Sequence, residues 1–241
     1  MGKISIKLFV GVVVLLSLSI SAQAATVVLT PEKDCYIHGK YRWGWLGWDS
    51  MINSGQLNVG RYDAGYWVYE HEYRTLIYFN LSSIPSNAIV ESAELRIYYT
   101  NRLPSGWNDP QGDRYYVCRL TEDWKELNTR HPPWTERNRP YHVCSGIAST
   151  VPASAGWMTW NVTDDVRGFL NGSYKNYGWI IRDFSKSWYS YGTFNSREAS
   201  SNQPQLIIMY STTPVPVPEL TPLGLIVVAG LIVLSIRKIS R

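Results

Sequence analysis

Eight aromatic residues stand where flat rings could meet a ligand. Trp43, Trp45 and Trp48 fall in the Gly-containing stretch 40–54, Tyr66 and Trp67 just before Glu72, Trp107 in a Gly/Pro-rich stretch, and Trp188 with Tyr189 after a Ser-containing turn. An indole or phenol face covers the apolar C–H face of a pyranose while polar groups line its rim. Exposed rings in turn-rich segments are the sequence trace of such a platform, and these eight are the candidate carbohydrate-binding residues. Packing of the same rings over the ends of a core is the competing reading, and the sequence leaves both open. Trp157, Trp160 and Trp179 lie in strand-like surroundings and are expected in the core, as are Trp124 and Trp134 from an irregular crossover.

Catalytic chemistry has weaker support. Hydrolysis of a glycoside needs two carboxylates facing each other across a cleft, one of them kept protonated. Glu70 with Glu72, Asp109 with Asp113 and Glu122 with Asp123 are the available pairs, and none stands in a recognisable motif. His38, His71, His131 and His142 are scattered and read as loop residues. No GxSxG, HExxH or Gly-rich phosphate loop occurs. The reading is a protein without enzymatic activity and with no catalytic residues. No cofactor is expected; Asp34, Asp63 or Asp183 could contribute to a structural calcium ion, although no EF-hand spacing exists. Metal ligation by cysteine is disfavoured because no CxxC or CxxH spacing is present.

The elements that must position the rings are mostly strands. The clearest grammar is in 156–182, which predicts strand, short helix, turn and strand. Thr163 is the expected N-cap, Asp164 and Asp165 suit the positive end of the helix dipole, Val166, Phe169 and Leu170 form one apolar stripe, and Asn171-Gly172 stops the helix. Within 90–99, Ala93, Leu95, Ile97 and Tyr99 alternate with Glu94, Arg96 and Tyr98, as in a half-buried strand. Further strands are expected over 25–29, 34–37, 56–60, 74–81, 115–120, 193–196 and 205–210, with an aromatic loop or edge strand at 66–72 and a loop over 40–54, a turn-rich excursion and not a buried strand. With 11 Trp, 17 Tyr and Gly and Pro spread between short apolar segments, the composition is that of an all-β antiparallel sandwich with one short helix.

Both ends of the 241-residue chain read as targeting devices. Residues 1–24 carry Lys3 and Lys7, an apolar run from Leu8 to Ile20 and the small-x-small triplet Ala22-Gln23-Ala24, the pattern of a secretory signal peptide. Residues 212–219 form a Pro-rich linker; 220–236 are apolar and uncharged, close to the about 20 residues of a spanning helix; and 237–241 form a basic tail, expected on the inner side. The expected domain is 25–211, held at the outer face of the cell membrane. Without the ends, 18 basic and 18 acidic residues remain, so the domain is formally neutral and carries no basic run suited to nucleic acid. Outside the cell two of the three cysteines can pair. Cys118 with Cys144 is favoured because they flank one loop-rich segment, although spacing does not decide it. Of three N-glycosylation sequons, at Asn80, Asn161 and Asn171, the one at Asn171 lies in a turn and is the best acceptor.

Two resemblances add to this. Pro218-Glu219 followed by an apolar helix and a basic end resembles the PEF-CTERM sorting signals of archaeal surface proteins, with Leu220 where the name-giving motif has Phe. That implies cutting near Pro218 by an archaeosortase-type membrane enzyme; a plain stop-transfer helix explains the same residues. The ordered blocks RTLIYFNLSSIP, SAELRIYY, YYVCRLTEDW, PPW, WMTWNVTDDVRGFLNGSYKNYGW and PQLIIMY resemble the DNRLRE-domain family, also called disaggregatase-related repeats, which overlaps with a family of carbohydrate-binding modules. The resemblance spans about 30–210, although the naming string is absent. It implies a jelly-roll-like β-sandwich on a secreted or surface protein, some members of which bind polysaccharide. The expected partners are therefore extracellular polysaccharide or cell-envelope components, with a structural or adhesive envelope protein as the alternative and a polysaccharide-degrading enzyme behind both.

Overall fold

Side chains on a strand point alternately to opposite faces, and the segment around 90–99 shows what that does here. Ala93, Leu95, Ile97 and Tyr99 are fully buried, whereas Glu94, Arg96 and Tyr98 between them are not. The computed structural model describes residues 23–42, 45–51, 55–63, 70–101, 110–126, 140–184 and 190–212, apart from the side chains of 23, 40–51, 62, 63 and 70. Its main unit runs from Ala24 to Thr212. The strands are β1 (Gln23–Leu29), β2 (Lys33–Arg42), β3 (Trp45–Met51), β4 (Gln56–Asp63), β5 (Glu70–Tyr78), β6 (Ala88–Tyr99) and β7 (Arg114–Leu120). After these come β8 (His142–Val143), β9 (Ala148–Thr150), β10 (Gly156–Asn161), helix α1 (Thr163–Leu170), β11 (Trp179–Asp183), β12 (Tyr191–Asn195) and β13 (Gln205–Thr212).

A front layer runs β3-β2-β5-β11-β7, with β8 and β9 on the outer edge of β7. A back layer has β6 between β10 and β13, with β1 beyond β13. Strands β12 and β4 carry the hydrogen bonding from β6 round to β5. Leu95 and Ile97 of β6, Met158 and Trp160 of β10 and Leu206 and Ile208 of β13 meet Ile77 of β5, Val117 of β7 and Trp179 and Ile181 of β11 in one apolar core. This is the all-β sandwich that the composition predicts.

Helix α1 closes one side of that core, and its entry differs from expectation. Val162, not Thr163, occupies the N-cap position and makes no side-chain cap bond. Thr163 is already helical; its hydroxyl accepts from the Ala93 amide at 2.9 Å and donates to Asn161 Oδ1, which also accepts from the Thr163 amide at 3.0 Å. The capping oxygen thus comes from the strand end two residues upstream. Trp179 Nε1 donates to Asp165 Oδ2 at 2.8 Å, tying the first turn of the helix to the front layer. Gly172 has φ +78° after the Asn171 C-cap, as the stop signal requires, while Asn171 itself stays right-handed at φ −86°.

Three other expectations change. The stretch 40–54 holds the top of a hairpin: β2 and β3 pair from Tyr36↔Met51 to Arg42↔Trp45. Its glycines weaken the side-chain pattern, but β2 is already templated along its other edge by β5 as far as Tyr41↔Glu70. Trp157 is 37% exposed and meets Tyr98 edge-on at 5.4 Å; it is three residues from buried Trp160, and an odd separation on a strand puts the two on opposite faces. His38, His71 and His142 lie on β2, β5 and β8 and not in loops, while His131 and Trp134 lie outside the described residues.

Cys118 on β7 is disulfide-bonded to Cys144 just after β8, and Cys35 remains a buried thiol whose ionisation burial strongly opposes. The bridge closes a separation of 26 residues. Replacing both cysteines by Ser should lower unfolding free energy by about 3 kcal/mol through a less constrained unfolded chain. Urea unfolding of the oxidised wild type and the double variant measures this.

Candidate functional site

Strand β5 divides its side chains between two environments. Ile77 enters the core between the layers, whereas Leu76 belongs to a second apolar cluster with Cys35, Ile37, Cys118, Leu120, Trp124 and Ile180. That cluster lies on the other face of the front layer, and Trp124 closes it from the segment 121–126. Trp124 Nε1 donates to the Tyr177 carbonyl at 2.8 Å, and Lys33 Nζ lies 4.6 Å from the centre of its ring.

Further along the same face the residues become charged. Glu72 Oε1 accepts from Arg74 Nε at 2.7 Å and Arg182 Nη2 at 3.3 Å, with Arg61 Nη2 at 3.8 Å. Among the described residues, three guanidinium groups thus converge on one carboxylate. Arg182 also donates from Nη1 to His142 Nε2 at 2.9 Å. A guanidinium can only donate, so that imidazole nitrogen carries a lone pair and Nδ1–H donates to the Pro140 carbonyl at 2.8 Å. Burial first, and the neighbouring Arg182 and Arg74 charges after it, hold His142 down to about 4 and keep the ring neutral.

Two rings extend this charged group to the surface. The Arg182 guanidinium lies 4.3 Å from the centre of the Phe184 ring, Phe184 meets Tyr116 edge-on at 5.1 Å, and exposed Arg114 lies 5.7 Å from the Tyr116 ring. Phe184 is 45% exposed, enough for a ligand to reach it. Ring faces flanked by guanidinium forks can cover the apolar side of a sugar and bond its carboxylate or hydroxyl groups.

Of the eight aromatic candidates, Trp43, Tyr66, Trp67, Trp107, Trp188 and Tyr189 lie outside the described residues, and Trp45 and Trp48 are described only as positions on β3. The strand ends bounding their connections nevertheless gather at one end of the sandwich. Arg42 pairs with Trp45, Tyr41 and Asp63 both face Glu70, Asp183 pairs with Tyr115, and Ser190 Oγ donates to Asp113 Oδ2. That is the end of the front layer carrying Arg61, Glu72, Arg182 and Phe184. On the opposite face of β5, His38 stacks on Tyr73 at 4.4 Å and on His71 at 4.8 Å, with 2.6 Å between His38 Nε2 and His71 Nδ1.

Sequence reasoning missed Tyr116, Phe184, Arg114, Arg61 and Arg182. Alternation alone places Glu72 and Arg74 on one face, but only the register of β4, β7 and β11 brings the others beside them. Among the described members of the candidate acid pairs, Glu122 accepts from the Tyr141 amide, Asp123 from the Trp124 amide and Asp113 from Ser190 Oγ, and Glu72 is held by arginines. Glu70 and Asp109, and Pro218 and Glu219, are beyond the described side chains. Asn171 lies exposed, with Oδ1 accepting from the Ser173 amide. Among the carboxylates considered for calcium, Asp183 is buried on β11 and Asp34 is buried at the start of β2.

The antiparallel β-sandwich is an architecture that hosts many non-catalytic binding modules. The model of carbohydrate-binding module family 96 matches residues 25–210, and the chain belongs to that family. No curated protein matches the chain. Among the described residues, no helix is long and apolar enough to cross a membrane; the stretch 220–236 lies outside them.

The neutral state of His142 has a measurable consequence. Its value falls from 6.5 to about 4 on folding, so the unfolded chain takes up the proton first as pH drops. The stability from this group is complete above pH 6.5 and is lost as pH falls toward 4. Asp34, raised from 3.8 to about 7, contributes the opposite slope, lost as pH rises. The readout is therefore the difference between wild type and His142→Gln in denaturation series across this window: the variant should lose less stability on acidification.

Proposed function

We propose that this chain is a non-catalytic module that holds an acidic extracellular polysaccharide against the Arg114–Tyr116–Arg182–Phe184 face. The observation that carries this reading is Arg182, whose guanidinium lies over the exposed Phe184 ring while bonding His142 and Glu72. With three guanidinium groups to one carboxylate among the described residues, the face favours a carboxylated sugar over a neutral one. The same reading gives a part in the platform to Trp43, Tyr66, Trp67, Trp107, Trp188 and Tyr189, because the strand ends that flank their connections lie at that end of the sandwich, and to Trp45 and Trp48, because β3 starts there.

Calorimetric titration of the whole chain with a polyuronate and with a neutral glucan tests this. Phe184→Ala and Arg114→Ala should each weaken polyuronate binding by about tenfold, and added salt should weaken it further. Equal affinity for both polymers, or indifference to both substitutions, sinks the assignment.

We further infer that the module works outside the cell, with 1–24 removed and 212–241 holding it to the membrane or, after cutting near Pro218-Glu219, to a surface acceptor. Support comes from the charge pattern of the two ends and from the disulfide, a bond that persists in oxidising compartments. Mass spectrometry of the mature protein should find Ala25 at its N-terminus; a retained Met1 counts against export with cleavage.

A further inference from the structure

A second charged group lies away from the proposed sugar face, where the start of β2 meets the segment 121–126 and the turn after β12. Asp34 is there with its side chain 1% exposed. Its backbone amide donates to Glu126 Oε1 at 2.8 Å, and its Oδ2 accepts from the Arg197 amide at 2.8 Å. Its other oxygen, Oδ1, is buried and accepts no hydrogen bond; Arg197 Nε is 3.9 Å from it. The Arg197 guanidinium instead bridges the two glutamates, donating from Nη2 to Glu126 Oε2 and from Nε to Glu198 Oε1, both at 2.8 Å, and from Nη1 to the Glu32 carbonyl. Ser196 Oγ donates to Glu198 Oε2 at 2.8 Å.

One oxygen from each of Asp34, Glu126 and Glu198 lies within 4.8 Å of the others. Three oxygens at such separations can all lie within about 2.8 Å of a common point, close to the reach of a calcium ion at 2.3–2.6 Å, whose flexible shell accepts irregular carboxylate and carbonyl ligands. The donors are all oxygen, with no nitrogen or sulfur ligand that would select a transition metal. Three carboxylates share one guanidinium, which leaves a negative excess. Glu198 is exposed and gives an ion a way in.

We propose that this group is a calcium site, with Asp34, Glu126 and Glu198 as carboxylate ligands, the Glu32 carbonyl as a neutral one, and Arg197 as the cation that takes the place of the ion in its absence. Binding would join the first residues of β2 to two segments about 90 and 160 positions further along the chain. An ion that binds the folded state alone raises stability in proportion to its saturation.

The test uses the whole chain, stripped with chelator and titrated with calcium chloride. Expected results are one calorimetric binding event assigned to this group, a thermal midpoint that rises with calcium, and terbium luminescence sensitised through nearby Trp124. Asp34→Asn and Glu198→Gln should each weaken binding by at least about tenfold, and Arg197→Gln should tighten it by removing the competing cation. Should Asp34→Asn fail to fold, exposed Glu198→Gln decides alone. The proposal is overturned if calcium up to about 10 mM leaves the midpoint unmoved, or if binding persists undiminished in Glu198→Gln. A weaker or unchanged affinity in Arg197→Gln refutes the role given to Arg197.

Discussion

A carboxylate removed from water must be surrounded by donors or it unfolds the region that holds it. Glu72, with its side chain 3% exposed, is in that position, and its partners come from three strands: Arg61 from β4, Arg74 from β5 itself and Arg182 from β11. The network therefore does more than neutralise a charge. It fixes where β4 and β11 divide one edge of β5 between them, since β4 pairs along Glu70–Tyr73 and β11 along Thr75–Ile77. The place where the hydrogen bonding passes from the back layer to the front is the place where the arginines gather, and the proposed sugar face is built on that junction.

The remainder of the molecule packs around this junction. The main core fills the space between the layers, and Trp160 and Trp179, both fully buried, spend their indole N–H groups on the Tyr115 carbonyl and on Asp165. Gly178 carries φ +80° immediately before β11, and a Cβ there would lie 2.1 Å from the Ile77 carbonyl oxygen. Only glycine permits that approach, which aligns β11 with β5 and sets Arg182 and Phe184 at their positions along the face.

Much of the fold was legible from local pattern. The alternation in 90–99 and the strand–helix–turn–strand grammar of 156–182 describe contacts made within a few residues, and both appear in the structure. What was not legible depends on pairing between distant segments. The hairpin at 40–54 exists because β5 templates β2, a fact invisible in a glycine-punctuated stretch. The cap of α1 moved because Thr163 found the Ala93 amide, seventy positions away, and left capping to Asn161. The site shows the same division. The eight aromatic candidates are recognisable by residue type alone, whereas Phe184, Tyr116 and Arg182 are ordinary strand residues until the register of β7 and β11 sets them side by side. Trp157 failed for a local reason, since its odd separation from Trp160 already assigned it to the outer face.

The bridge between Cys118 and Cys144 also bears on the residues beneath the proposed face. His142 stands two residues before Cys144, and its unprotonated Nε2 is what Arg182 rests against. Beside the bridge, the two-residue ladder of β8 with β7 and the bonds of Tyr141 to the Thr121 amide and to Glu122 keep that imidazole in place. A ring released to solvent regains its ordinary basicity and, once protonated, repels the guanidinium it had been receiving. The covalent link two residues away thereby supports the neutral state of the imidazole on which Arg182 rests.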